Sequence, residues 1–216
     1  NALGAYYAKK MGANIGRIKI ASNQNNILTQ LFTTGIYDLN NKELISTISP
    51  AMDILVSSNV ERLLFDKFGA VRTKELMDSL ATNKKYELTN DELNVLKADF
   101  DAAFCTDDEC IENISKMAKS GILIDPHTAT CLNLVNDENI TVITSTAQWV
   151  KFTPSMIKAL KNRTSTDELA DMQLLASKYH VKLPKSIIKL FKEEAIHTDI
   201  VKKNQIKSNI IEWIKQ

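Results

Sequence analysis

Apolar positions along the chain recur at two spacings, helical and alternating, and the spacing changes every ten to twenty-five residues. Residues 3–11 follow a helical pattern that stops at Gly12, and residues 15–20 read as a short β-branched strand. The polar turn Ala21-Ser22-Asn23-Gln24-Asn25-Asn26 then leads into the helical spacing of Ile27, Leu28 and Leu31. Residues 35–42 read as a loop and 46–54 as irregular. Ser57-Ser58-Asn59-Val60-Glu61-Arg62 opens a helix continued by Leu63, Leu64 and Phe68, with Ser58 and Glu61 at capping-box spacing. Residues 71–81 and 90–99 read as helices packed on outer faces, and 100–105 as a strand. Thr106-Asp107-Asp108-Glu109 caps a helix over 110–119 whose Ile111, Ile114 and Met117 form a one-sided stripe.

The second half repeats the alternation. Gly121-Ile122-Leu123-Ile124 reads as a short strand, and Asp125-Pro126-His127-Thr128-Ala129-Thr130 as the turn into a helix reaching about residue 136. Residues 139–144 form a fully apolar run, the signature of a strand covered on both faces, ending in Ser145-Thr146-Ala147-Gln148-Trp149-Val150-Lys151-Phe152. A helix follows over 153–161. Beyond it, 165–180, 184–192 and 199–216 are amphipathic, highly charged helices, the first started by Ser165 or Thr166 and the second by Pro184. Strands alternating with helices imply an α/β fold with a mostly parallel sheet flanked by helices, followed by a helical carboxyl-terminal tail.

Polar residues gather at three strand ends, 22–26, 125–128 and 145–146. In an open α/β sheet the carboxyl ends of the strands form the ligand edge, and a helix N-terminus there presents free N–H groups to an anion. Asp125 and His127 add a carboxylate and an imidazole, and Ser58, Asn59 and Arg62 add hydroxyl, amide and guanidinium donors. Each cluster also has a plain structural reading as a helix cap.

With 27 basic against 26 acidic residues the net charge is +1, which gives no electrostatic case for a nucleic-acid partner or an anionic membrane surface. Cys105, Cys110 and Cys131 form neither an even set nor a metal-binding spacing, so reduced thiols in a cytoplasmic protein are expected, with no metal site. No apolar stretch approaches the roughly 20 residues of a membrane span. The chain begins abruptly in a helical pattern without an initiator methionine, as though cut from something longer, and Asn1-Ala2 need not be native.

Five strings carry more than pattern. Asn1-Ala2-Leu3-Gly4-Ala5-Tyr6-Tyr7-Ala8-Lys9-Lys10-Met11-Gly12, Ala21-Ser22-Asn23-Gln24-Asn25-Asn26, Ser49-Pro50-Ala51-Met52-Asp53-Ile54 followed by Ser58-Asn59-Val60-Glu61-Arg62-Leu63, Ile124-Asp125-Pro126-His127-Thr128-Ala129, and Ser145-Thr146-Ala147 with Lys151-Phe152 occur in order. Together they resemble the threonine synthase family, pyridoxal-phosphate enzymes of the tryptophan-synthase-β fold type. The resemblance implies the second half of a fold-type II large domain over residues 1–161, and a helical extension over 162–216 packed on it. It also implies conversion of O-phospho-L-homoserine and water to L-threonine and phosphate, with pyridoxal 5'-phosphate drawing electrons from the substrate.

By the same resemblance, Thr146, with Ser145 beside it, is the neutral hydroxyl partner of the cofactor's ring nitrogen, and Asn1 ends the cofactor-phosphate loop. Asp125 and His127 line the cofactor side of the cleft in an orienting role. Asn23, Asn25, Ser58, Asn59, Arg62 and Lys151 are substrate-side or cleft-lining landmarks. The family's Schiff-base lysine falls before Asn1, so no catalytic residue is expected in this chain. Its partner is then the amino-terminal half of the same enzyme, and alone it is inactive and prone to self-association. Asn26 stands in place of the family's Asp, Val60 in place of Phe, and Gln148-Trp149-Val150 in place of His-Pro-Ala. Another synthase or dehydratase on the same fold, or a non-catalytic α/β interaction module, are the competing expectations.

Overall fold

The computed structural model describes residues 1–136, 140–145, 147–196 and 198–215. It comprises two units, residues 1–181 and 182–216. In the first, α1 (Ala2–Lys10) stops at Met11, and Gly12 takes the positive φ of 97° that turns the chain away. Strand β1 (Ile18–Ser22) buries alternate residues and pairs in parallel with β4 (Phe100–Phe104), Ile18 opposite Phe100 and Ser22 opposite Phe104. Parallel neighbours need a long crossover. It is supplied by α2 (Ile27–Thr34), β2 (Ile36–Asp38), α3 (Val60–Asn83), β3 (Lys85–Glu87) and α4 (Asn90–Asp99). The fold is therefore α/β, a parallel pair flanked by helices, as the alternation of patterns implies.

Several local expectations are corrected. Residues 36–38, expected within a loop, form β2 and pair antiparallel with β3. A three-residue strand carries too little alternation to be read from sequence, and here Tyr37 and Tyr86 stack at 5.0 Å across the pair to hold it. The two helices expected after Ser57 are both present, as the two halves of α3 that the non-helical Gly69 separates. The Ser58–Glu61 capping box does not form: Asn59 is the cap residue and makes no side-chain cap bond. Genuine boxes occur at Thr89/Glu92 for α4 and Thr106/Glu109 for α5 (Asp107–Lys119).

Residues 121–124 and the described part of the run 139–144 are not strands. A strand is defined by the neighbour that accepts its backbone bonds, and no described strand lies beside either segment. Ile140 and Val142 are 99% and 85% exposed, the reverse of the burial expected for them. The helix expected from Asp125 to residue 136 is shorter, α6 (Pro126–Ala129) followed by a 3-10 turn, Thr130–Leu134. Helix α7 (Thr153–Lys161) lies where expected. The next, α8 (Glu168–Lys178), is capped by Asp167 in place of Ser165 or Thr166. In the second unit α9 (Lys185–Leu190) follows Pro184, and α10 is Ile206–Ile214.

Two apolar clusters support the first unit. One gathers Ile20, Leu31, Tyr37, Leu64, Leu96 and Phe100 from β1, α2, β2, α3, α4 and β4. The other joins Ile48, Cys110, Ile114, Ala129, Met156 and Leu175, packing α5, α6, α7 and α8 together. Burying one leucine such as Leu31 or Leu64 contributes about 1.5–3 kcal/mol. The short helix α6 sits in the second cluster, and what precedes it forms the site.

Candidate functional site

Asp125 is the cap residue of α6, and Pro126 at the first helical position fixes the backbone there. Its carboxylate is 1% exposed and takes bonds from every donor the turn offers. Oδ1 accepts from the backbone N–H groups of His127 (2.9 Å) and Thr128 (3.3 Å), and Oδ2 accepts from the Thr128 hydroxyl. His127 Nδ1 lies 2.9 Å from Oδ1. Burial by itself would raise the Asp125 carboxyl, but these side-chain and backbone bonds from His127 and Thr128 outweigh it and hold the group below the ordinary carboxylate range.

The second nitrogen of His127 is also engaged. Nε2 accepts the backbone N–H of Ala51 at 3.0 Å, and the ring rests against Phe152 at 4.4 Å between centroids. A nitrogen that accepts carries no proton, so the neutral ring has its N–H on Nδ1, directed at Asp125. Both nitrogens are thereby committed, which suits an orienting role. Thr128 Oγ1, which donates its hydrogen bond to Asp125, stands 3.0 Å from the exposed Ser145 hydroxyl. Helix α5 braces the turn: Cys110 Sγ donates to Pro126 O and Asn113 Nδ2 to Ala129 O. All three cysteines are free thiols, and a bond with Cys105 together with burial pushes the Cys110 thiol up.

The β1–α2 junction is equally closed. Asn23 is 1% exposed, and its Nδ2 lies within hydrogen-bond distance of Thr47 Oγ1 (2.9 Å), Ser49 Oγ (3.1 Å) and Asp53 Oδ1 (2.8 Å). Asn25 bridges to Ile45 through both ends of its amide and to Asp53 Oδ1 at 3.1 Å. Asp53 also accepts the Thr47 backbone N–H. Ile48 N donates to Asp107 at the start of α5, and Ser155 of α7 donates to Ile48 O. Asn23 and Asn25 thus direct their amides into the segment 45–53, and a shallow hollow of about 290 Å³ is lined by Asn25 together with Gln24, Asn26, Lys42 and Glu43.

The structure therefore brings Asp125, His127 and Ser145 together, and joins them to Asn23 and Asn25 through the segment 45–53. Others stand apart. Asn1, Ser58, Asn59, Arg62 and Lys151 are exposed, and the side chains of Arg62 and Lys151 have no hydrogen-bond or ion-pair partner among the described residues. Thr146 lies outside the described residues. Thr128, Thr47, Ala51, Asp53 and Asp107 are site residues that sequence reasoning missed. Thr128, Ala51 and Asp53 stand inside quoted strings, and no local pattern marks a carboxylate such as Asp53 whose partners Asn23 and Asn25 lie in another segment. Among the described residues no group of histidine, cysteine, aspartate or glutamate side chains forms a metal site, and no helix is long and apolar enough to cross a membrane.

No protein-family model matches the sequence. Individual proteins do. Threonine synthase-like 1 of Homo sapiens is 40% identical over 181 residues, which are 78% of this chain and 24% of that protein. The crystal structure of threonine synthase from yeast superposes with a TM-score of 0.81 at 27% identity, over 99% of this chain and 45% of that one. The chain is a threonine synthase homologue. A threonine synthase from Brucella melitensis, whose structure is described as bound to PLP, matches 88% of this chain and 42% of its own at 28% identity and a TM-score of 0.70. This threonine synthase homologue spans about a quarter of its curated relative's length and under half of each solved chain.

Proposed function

We propose that this chain is the carboxyl-terminal part of a pyridoxal-phosphate-dependent carbon–oxygen lyase of the threonine synthase type, whose complete form converts O-phospho-L-homoserine and water to L-threonine and phosphate. Homology to threonine synthases along most of the chain carries the reading, because one homologue is solved with PLP bound. The cofactor, when bound, supplies an electron sink for the substrate carbon.

The donor set fits that group. Ser145 offers a neutral hydroxyl at an exposed position, while the nearby Asp125 carboxylate is buried and fully engaged by its own turn. A hydroxyl without a facing carboxylate suits a ring nitrogen that stays unprotonated, and Thr146, the next residue, shares that role. Asn1 borders the cofactor phosphate. Asp125 and His127 orient the wall, and Arg62, Lys151, Ser58 and Asn59 provide exposed donors of the kind that hold a phosphate. Asn23 and Asn25 act behind the surface, holding the segment 45–53.

In this reading the cofactor-linking lysine precedes Asn1 in the complete enzyme, the amino-terminal half is the chain's partner, and the protein works in the cytoplasm. Residues 1–161 belong to the large cofactor domain and 162–216 to a helical extension. The chain alone is inactive, and bare Ile140 and Val142 favour self-association. The complete protein should release phosphate from O-phosphohomoserine and should form no keto acid and ammonia from serine or threonine. A stoichiometric borohydride-reduced lysyl adduct with pyridoxal phosphate on the isolated chain would overturn the assignment of the lysine.

A different reaction on the same fold is the second reading. Gln148-Trp149-Val150 in place of the family's His-Pro-Ala favours it, and so does the human relative's name, which is threonine synthase-like. Turnover of another amino acid by the complete protein, with O-phosphohomoserine inert, would select it.

A further inference from the structure

The segment 45–53 has almost no regular structure, yet it links both polar clusters. Asn25 holds Ile45, Asn23 holds Thr47 and Ser49, Asp107 holds Ile48 N, and Ser155 holds Ile48 O. These anchors stop at Ser49 and resume at Asp53, which takes the Asn23 and Asn25 amides. The 3-10 turn Pro50–Met52 between them has two further ties: a 3.8 Å approach of the Thr130 hydroxyl to Met52 Sδ, and the 3.0 Å bond from Ala51 N–H to His127 Nε2. The Thr130 hydroxyl already donates to His127 O at 2.7 Å, so the sulfur contact is minor. The imidazole is the strong tie.

That tie has a chemical requirement. The ring must present a lone pair at Nε2 and its single N–H at Nδ1, and Asp125 Oδ1, 2.9 Å away, selects that tautomer. The carboxylate is itself fixed by two backbone N–H groups and Thr128, so it cannot follow the ring elsewhere. We propose that His127 is a tautomer-locked clamp: a positioning residue that, set by Asp125, fixes the Pro50–Met52 turn over α6 and so holds the two polar strand ends in one arrangement. The clamp rests on the geometry of the chain alone. Its bearing on substrate placement rests on the function proposed above, and the readouts below do not involve the cofactor.

Long-range ¹H–¹⁵N spectra of the folded 216-residue chain, or of the complete protein, should show His127 as the neutral Nδ1–H tautomer at pH 7.5. Protonated Nε2 in the unmodified protein would overturn the proposal. Two substitutions separate the ring's contacts. His127→Asn keeps a donor near Asp125 and removes the acceptor for Ala51, whereas His127→Gln reaches to the Nε2 position and restores an acceptor. The Ala51 amide should exchange with solvent about ten-fold faster in the asparagine variant and near the original rate in the glutamine variant, with Ile20 and Leu31 amides unchanged in both. Equal exchange of Ala51 in the two variants, or acceleration spread evenly over Ile20 and Leu31, would overturn it. Loss of phosphate release with normal clamp signatures would instead count against the proposed reaction and leave the clamp standing.

Discussion

Asn23 and Asp53, thirty positions apart in sequence, are joined by a 2.8 Å bond from amide nitrogen to carboxylate oxygen. The same carboxylate oxygen takes the Asn25 amide and the Thr47 hydroxyl, so one side chain organises the irregular segment at the carboxyl end of β1. Replacing Asn23 with alanine removes the donors that link the strand end to Thr47, Ser49 and Asp53 at once. A buried partner left without its bond costs about 1–3 kcal/mol. Urea unfolding of Asn23→Ala should show a loss in that range, while Asn40→Ala, at an exposed turn, should change little.

Asp125 makes a sharper case, because its four donors converge on one buried carboxylate. Asp125→Asn keeps the shape, turns one acceptor into a donor and removes the charge. It should lower the unfolding free energy by about 2 kcal/mol. Ala51 exchange should also rise, since the imidazole loses the group that sets its tautomer.

The pH dependence follows from sign. Asp125, Asp66 beside Lys10 and Asp99 beside Lys67 all titrate below their ordinary range in the folded protein. A carboxyl lowered by folding stabilises the native state above its unfolded value and loses that contribution as pH falls through its folded value. Stability should therefore hold from neutral pH down to about pH 4 and fall below it. A melting temperature constant down to pH 2.5 would show that these carboxylates are not held as the structure places them. Asp66 and Asp99 are partly solvated pairs, so salt should weaken their share and leave that of Asp125 intact.

Gly69 breaks α3 with φ 77° and ψ 175°, a conformation essentially closed to side chains. A Cβ built there meets nothing within 4 Å, so space is not the obstacle. Gly69→Ala should destabilise by about 1–3 kcal/mol through backbone strain alone. Unchanged stability would mean that the two halves of α3 can join into a straight helix.

The helical spacings of α1, α4, α5 and α7 and the cap of α5 were legible because each signal is local: Thr106 and Glu109 lie within one turn. The β2–β3 pair was not, since its partners are far apart and each strand is three residues long. The apolar run ending at Thr144 read as a buried strand because hydrophobicity reports what a segment would prefer to cover, whereas a strand also needs a neighbour, and none lies beside it among the described residues. The same distinction divides the site. Asp125, His127, Asn23 and Asn25 stood out by residue type at strand ends, while Asp53 and Thr47 gain their importance from Asn23, a partner that folding delivers.

The fastening of residues 45–53 at Ile45, Thr47, Ile48, Ser49 and Ala51 has an evolutionary and engineering corollary. Irregular connections ordinarily absorb extra residues, because their backbone is free to bulge into water. This one has no slack: a single inserted residue would shift every later contact out of register, so length here should be as tightly constrained as in a central strand.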